Sequence, residues 1–357
     1  MKFTFSFLLS LLLLEAHAQK DSVSKLTLSA YVDVYYSYDF SQPDNHERPP
    51  FFYNYNRHNE LNINLAYIKA AYSSETVRAN LTLMAGTYSQ YNLAHEQELL
   101  RHVFEANAGV KLLKNQNLWL DAGILPSHIV FENAIGKDCW TLTRSMMAEN
   151  SPYYEAGARL NYTSFNKKIV AALLYLNGWQ RIQKLPGNQT PAFGSQLTYT
   201  PNTKVILNWS TYAGNEQPDS SRRWRYYHNL YGMFKATEKL GITLGFDIGM
   251  QQQSKGSHTY DIWYTPVVMA RYRLHTKIYL AARAEYYQDT KGVIIPVSTT
   301  GGFKTSGYSL NMDYAPSAPV LLRIEGRMLH ASDKLFVSGS SPTNVNYFLT
   351  TSMAVSF

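Results

Sequence analysis

Charged side chains recur at alternate positions along this sequence. Arg283 and Glu285 form one such pair, and Arg323, Glu325 and Arg327 a run of three. Glu155 and Arg159 keep the same phase, as do Arg78, Glu105, Asp121, Asp247, Arg271 and Asp313 in their own segments. Groups spaced this way can pair with opposite charges on neighbouring strands, or set a field across a water-filled space. Pairing is the plainer reading and explains the phase without any function. A second cluster, Glu132, Lys137, Asp138, Arg144 and Glu149, with His128 nearby, falls in one long segment from residue 126 to 151. That segment also carries Phe131, Trp140, Leu142, Met146 and Met147, an apolar load unusual for an exposed loop. Folding inward would bury it and make its charges candidates for a constriction. Packing over a rim or against a neighbouring subunit is the alternative. Covalent chemistry finds little support. No GxSxG, phosphate loop or HExxH occurs, the ten histidines are dispersed, and Cys139 is the single cysteine. His228 and Asn229 have no evident nucleophile to serve. The expectation is no catalytic residue, no metal, no cofactor and no enzyme.

The alternation that sorts these charges also defines the elements. Leu26, Leu28, Ala30, Val32, Val34, Tyr36 and Tyr38 alternate with mostly polar neighbours, and the pattern returns over 240–249 and 277–286. Successive strand side chains face opposite sides, so each segment is a strand with one apolar and one polar face. The strands run approximately over 26–40, 60–72, 76–88, 102–112, 117–125, 153–162, 167–178, 192–200, 204–213, 224–235, 239–250, 261–273, 277–289, 305–314, 320–330 and 344–357. Short turns and longer polar loops separate them in alternation. That rhythm predicts an all-β fold: an up-and-down antiparallel transmembrane barrel of about sixteen strands, with short periplasmic turns and long extracellular loops. Arg or Lys facing lipid at mid-depth costs about 2–4 kcal/mol, which turns the charged phase toward the lumen. Tyr31, Tyr35, Tyr227, Tyr231, Tyr279 and Tyr287 share that inward phase and could stack on sugars.

The two ends carry addresses. Lys2, an apolar stretch over Phe3–Leu14 and the small residues of Ala16-His17-Ala18 read as a signal peptide over residues 1–18. Residues 19–25 then form a short periplasmic segment, and 26–357 the barrel, with no room for a plug domain between them. The last strand ends on Phe357 in phase with its apolar face, a signature read by the barrel-assembly machinery. Aromatic residues make up 14% of the chain, as interfacial girdles of a membrane barrel require. The net charge of +7 is scattered rather than clustered, which argues against nucleic acid as a partner.

Four stretches are distinctive: Leu26–Tyr38, the segment Tyr53-Asn54-Tyr55-Asn56-Arg57-His58-Asn59-Glu60, Leu61–Tyr67, and Ala122-Gly123-Ile124-Leu125-Pro126-Ser127. Together they resemble the β-barrel porin-2, or OmpL-like, family of Bacteroidetes-type outer-membrane porins. The entry to the long loop departs from the family pattern, reading Pro-Ser-His where an aromatic-Gly pair would stand. The resemblance implies a passive route for small hydrophilic solutes across the outer membrane. Strand count points the same way, since about sixteen strands leave an aqueous channel where eight fill their own interior. The expected partners are outer-membrane lipid, the solutes, and two further copies in a homotrimer. A channel selective for oligosaccharides or anions, or a structural or adhesive barrel that conducts nothing, are the alternatives.

Overall fold

A computed structural model describes residues 25–129, 131–339 and 341–357. The expected signal peptide, and all of the 19–25 segment except Lys25, lie outside the described residues. Sixteen antiparallel strands close into one barrel. In chain order these are β1 (Leu26–Asp39), β2 (Leu61–Ser73), β3 (Val77–Ala85), β4 (Val103–Lys111), β5 (Asn117–Pro126), β6 (Tyr154–Thr163), β7 (Ile169–Leu176) and β8 (Ala192–Asn202). Then come β9 (Val205–Asn215), β10 (Trp224–Lys235), β11 (Leu240–Gln252), β12 (Tyr260–His275), β13 (Ile278–Asp289), β14 (Phe303–Ser317) and β15 (Val320–Ala331). The last barrel strand, β18 (Val345–Ser356), pairs with β15 on one side and β1 on the other. Closure leaves no strand edge unpaired, which is the condition for crossing hydrocarbon with a sheet. Between β15 and β18, β16 (Phe336–Ser338) and β17 (Ser341–Thr343) form a separate small hairpin within a loop, an addition to the expected set.

Alternation decides which face is which. Leu28, Ile68, Leu173 and Leu310 stand exposed on the outside, while Asp33, Asp247 and Asp313 are buried on the inside. An apolar surface of this extent is tolerated when lipid covers it. Register shifts interrupt the rhythm in five strand pairs among the described residues, and the one in β2 matters for the site. The pairing of β1 with β2 shifts between Asp33 and Val34, so that Asp33 faces Leu65 while Val34 faces Ile63. Asn64 and Leu65 are consequently both buried, and the inward phase of β2 changes parity there.

The long loops hold the apolar core. The loops after β1 (residues 40–60) and β5 (127–153), here L1 and L3, both enter the barrel. Phe51 and Phe52 of L1 pack against Phe303 and Phe348 of the wall, at ring separations of 4.9 and 5.8 Å. Met146 and Ile129 of L3 belong to the same cluster.

Candidate functional site

The site is built from L3 and the walls it touches. His128 anchors its start: Nδ1 lies 2.8 Å from Glu155 of β6 and Nε2 lies 2.9 Å from the Thr211 carbonyl of β9. With an acceptor at each nitrogen, the doubly protonated ring satisfies both. Burial opposes that charge, but the Glu155 carboxylate outweighs it and holds the His128 pKa above its ordinary value. Further along, Phe131 and Trp140 fill hollows left by glycines on β11. A Cβ built on Gly245 would lie 2.8 Å from the Phe131 ring, and one on Gly241 2.8 Å from that of Trp140. Gly136 presses against β1 and L1, where a Cβ would lie 2.5 Å from the Tyr55 hydroxyl.

The central part of L3 is held by the charges of β13, β14 and β15. Arg323 donates to the carbonyls of Gly136 and Cys139 at 2.7 and 3.0 Å. Arg283 donates to the Thr143 carbonyl at 2.6 Å, and Arg327 to that of Arg144 at 2.8 Å. The carboxylates take the amides: Glu325 accepts from the Thr143 N–H at 2.5 Å and Glu285 from that of Met146 at 2.6 Å. These side chains also pair among themselves, Arg283 with Glu325 at 2.9 Å, Arg327 with Glu285 at 2.5 Å and Arg323 with Asp313 at 2.7 Å. Arg271 reaches Asp313 at 3.1 Å. A loop buried in a barrel exposes backbone donors and acceptors that water cannot reach, and this wall satisfies them.

L3 is also tied to itself and to L1. Arg144 donates to the carbonyls of Asn133, Leu142 and Ala134 at 2.6, 2.6 and 2.9 Å. Glu132 accepts from the backbone N–H and the hydroxyl of Ser145. Ser145 in turn caps a short helix, α1 (Met146–Glu149), by accepting from the Ala148 N–H. Glu149 receives the Tyr53 N–H at 2.9 Å and the Asn54 side chain at 3.1 Å. Burial raises the carboxyls of both glutamates, that of Glu149 to about 7.

The charged residues singled out in the sequence therefore fall into two groups. Arg283, Glu285, Glu325 and Arg327 have side chains with 0% exposure, closed off by L3. Asp313 and Arg323 are equally buried, and Asp247 is enclosed by bonds from Tyr227 and Asn229. On β2–β6, by contrast, cations remain half-open. Lys69 is 31% exposed and pairs with Glu105, Arg78 is 30% exposed and pairs with Asp121, and Arg159 is 25% exposed with Asp121 3.8 Å away. Lys137 and Asp138 of L3 are also exposed, with the Lys137 amine 5.8 Å from the Tyr31 ring of β1. Within L3, Glu132, Arg144 and Glu149 are buried rather than presented to solvent. Of the six tyrosines, Tyr31, Tyr35, Tyr227 and Tyr287 are buried among other rings, leaving no face for a sugar. Tyr231 meets Phe131, and Tyr279 lies under Arg271. Among the described residues no cluster of His, Cys, Asp and Glu is arranged to hold a metal.

Lys69 escaped the sequence reading for a physical reason. It has the parity of Leu61 and Ile63, and uninterrupted alternation would point it at lipid. The bulge at Asn64 and Leu65 turns it inward.

The geometry so far is a barrel wide enough to admit a folded loop yet only partly filled by it. The family model for Putative beta-barrel porin-2, OmpL-like, matches residues 25–357. The chain belongs to this family. It is an outer-membrane porin, a passive diffusion channel. Solved outer-membrane proteins share its fold at low identity. The anion-selective porin from Comamonas acidovorans is 8% identical with a TM-score of 0.62, over 93% of this chain and 99% of that one. The outer membrane channel DcaP of Acinetobacter baumannii is 12% identical with a TM-score of 0.59, over 93% and 97%. OmpT of Vibrio cholerae is 9% identical with a TM-score of 0.61, over 94% and 99%. A search of the curated proteins finds no match.

Proposed function

We propose that solutes pass this porin along the β2–β6 side of L3, and that the passage favours small hydrophilic anions weakly over cations. The observation that carries this reading is the contrast in exposure between the two walls. Charges on β13–β15 are consumed in holding L3, while Lys69, Arg78 and Arg159 stay half-open beside Asn80, Asn107 and Asn161, and Lys137 of L3 is exposed as well. Glu105, Asp121 and the exposed Asp138 offset three of these four positive charges, so the expected bias is modest. The pore-lining residues are then Arg78, Glu105, Asp121, Lys137, Asp138 and Arg159, with Lys69 added. Of the other candidates, those in L3 and on β13–β15 position L3 and Glu155 anchors it through His128, whereas Asp247 pairs with Tyr227 and Asn229 on the wall and Arg271, 26% exposed, pairs with Asp313.

The same reading takes the chain to be exported through a signal peptide cleaved after Ala18 in a Bacteroidetes-type bacterium. It has the barrel assembled through Phe357, arranged as a homotrimer and without enzymatic activity. Purified protein in a planar bilayer under a potassium chloride gradient tests the function. The expected reversal potential has the sign of chloride preference. Cation preference would overturn the anion bias, and no current at all would overturn the channel.

A further inference from the structure

Above L3 the loops leave a cavity of about 290 Å³, lined by residues of L1, L3, β10 and four other long loops. Its base is the C-terminal end of α1, at Glu149, Asn150 and Ser151. Its sides carry His95, Trp179, Arg181, Glu216, Gln217 and Arg225.

The two carboxylates of this cavity already have their donors. Glu149 is taken by Tyr53 and Asn54, and Glu216 accepts from the Trp179 N–H at 3.0 Å and from the Tyr212 hydroxyl. The cations do not have their acids. Arg225 uses Nε and Nη2 on one neutral oxygen, that of Gln251, at 3.0 and 2.7 Å, and is braced over the rings of Trp179 and Trp263. It is buried, and no carboxylate lies within ion-pair distance among the described residues. Arg181 is half-exposed in the loop after β7 and also lacks an ion pair among the described residues. A buried guanidinium without a counter-charge is costly, and an arriving anion would offset that cost. The rest of the lining sets amide, hydroxyl, imidazole and indole groups beside the aliphatic Val293 and Ile294, a mixture in which the polar atoms, the Gln217 side chain among them, can meet hydroxyl groups.

We propose that this cavity is a capture site for a small polyhydroxylated carboxylate, a sugar acid, on its way into the channel. The carboxylate meets Arg181 and Arg225, and the hydroxyls meet Asn150, Ser151 and Gln217. The inference rests on the porin reading for its direction of traffic, but binding itself does not depend on conduction. Glucuronate is the probe, with glucose as the neutral ring of the same size, titrated against the tryptophan fluorescence of the full chain in detergent.

The expected result is saturable binding of glucuronate, about tenfold or more tighter than glucose. Arg181→Gln weakens it about tenfold. Gln217→Glu, which adds a negative charge without touching either arginine, weakens it as well. Heat-shifted migration on gels confirms that both variants are folded barrels. Equal response to glucuronate and glucose, or undiminished glucuronate binding by both folded variants, would overturn the proposal. Bilayer current on the same preparation reports separately on the porin reading.

Discussion

At the scale of single residues, the charges of this barrel do two different jobs according to what faces them. Arg327 sits between Glu285 and the Arg144 carbonyl with its side chain fully enclosed. Arg327→Gln would take one of the two buried cations from Glu285, leaving it Arg283 at 3.1 Å, and strip a donor from the Arg144 carbonyl, at a cost of about 3–5 kcal/mol. Denaturant unfolding in micelles should show a loss of that order, whereas a change within experimental scatter would mean the wall does not clamp the loop. The carboxyls of L3 predict a dependence on pH. Burial raises Glu149 from 4.5 to about 7, and Glu132 moves the same way. The folded protein therefore holds protons that the unfolded chain has released, and stability falls as pH rises from about 4.5 to about 7. His128 acts in the same direction, its contribution being lost as pH rises through its elevated folded pKa. The thermal midpoint should accordingly drop between about pH 5 and about pH 8, with a shallower drop in Glu149→Gln. A midpoint that climbs over this range would contradict the assignment of Glu149 as a buried, largely protonated tie between L1 and L3.

At the scale of elements, the strands were legible and the loop's seat was not. Period-two alternation located every barrel strand to within a few residues, because lipid outside and water or polar loop inside impose the pattern at each position. The direction of L3 could be argued from its apolar load, of which Met146 and Leu142 are now in the interior. Its docking depends on pairings between distant segments that no periodicity encodes. Gly241, Gly245 and Gly249 looked like the polar phase of β11, yet they are hollows for Trp140, Phe131 and Trp263. Arg283 and Arg327 looked like lumen charge and serve as backbone donors to L3. The burial of L1, with Tyr55 bonded to Asp33, carried no signal beyond an aromatic-rich stretch. A testable consequence lies at β11. Gly245→Leu should drive Phe131 off the wall at a cost of about 1–3 kcal/mol, leaving the barrel folded. Single-channel recordings should then show a larger and noisier current, and an unchanged trace would mean Phe131 does not hold L3.

At the scale of the whole molecule, a barrel of sixteen strands is divided lengthwise by one loop. On one side L3 and the β13–β15 wall form a packed, ion-paired core. On the other, β2–β6 keep half-open polar and cationic side chains. If three such barrels associate, the mass in mild detergent should equal three chains, and a single-chain mass would remove the trimer. The division itself is the central claim, and cysteine accessibility tests it most directly. In a Cys139→Ser background, a cysteine replaces either Asn161, on the half-open side of β6, or Ser309, buried on β14 behind L3. A charged, thiol-specific reagent is then applied during bilayer recording. The account predicts that Asn161→Cys reacts and loses current while Ser309→Cys does not. Rapid reaction at Ser309→Cys, with Asn161→Cys inert, would place the passage on the opposite wall and contradict it.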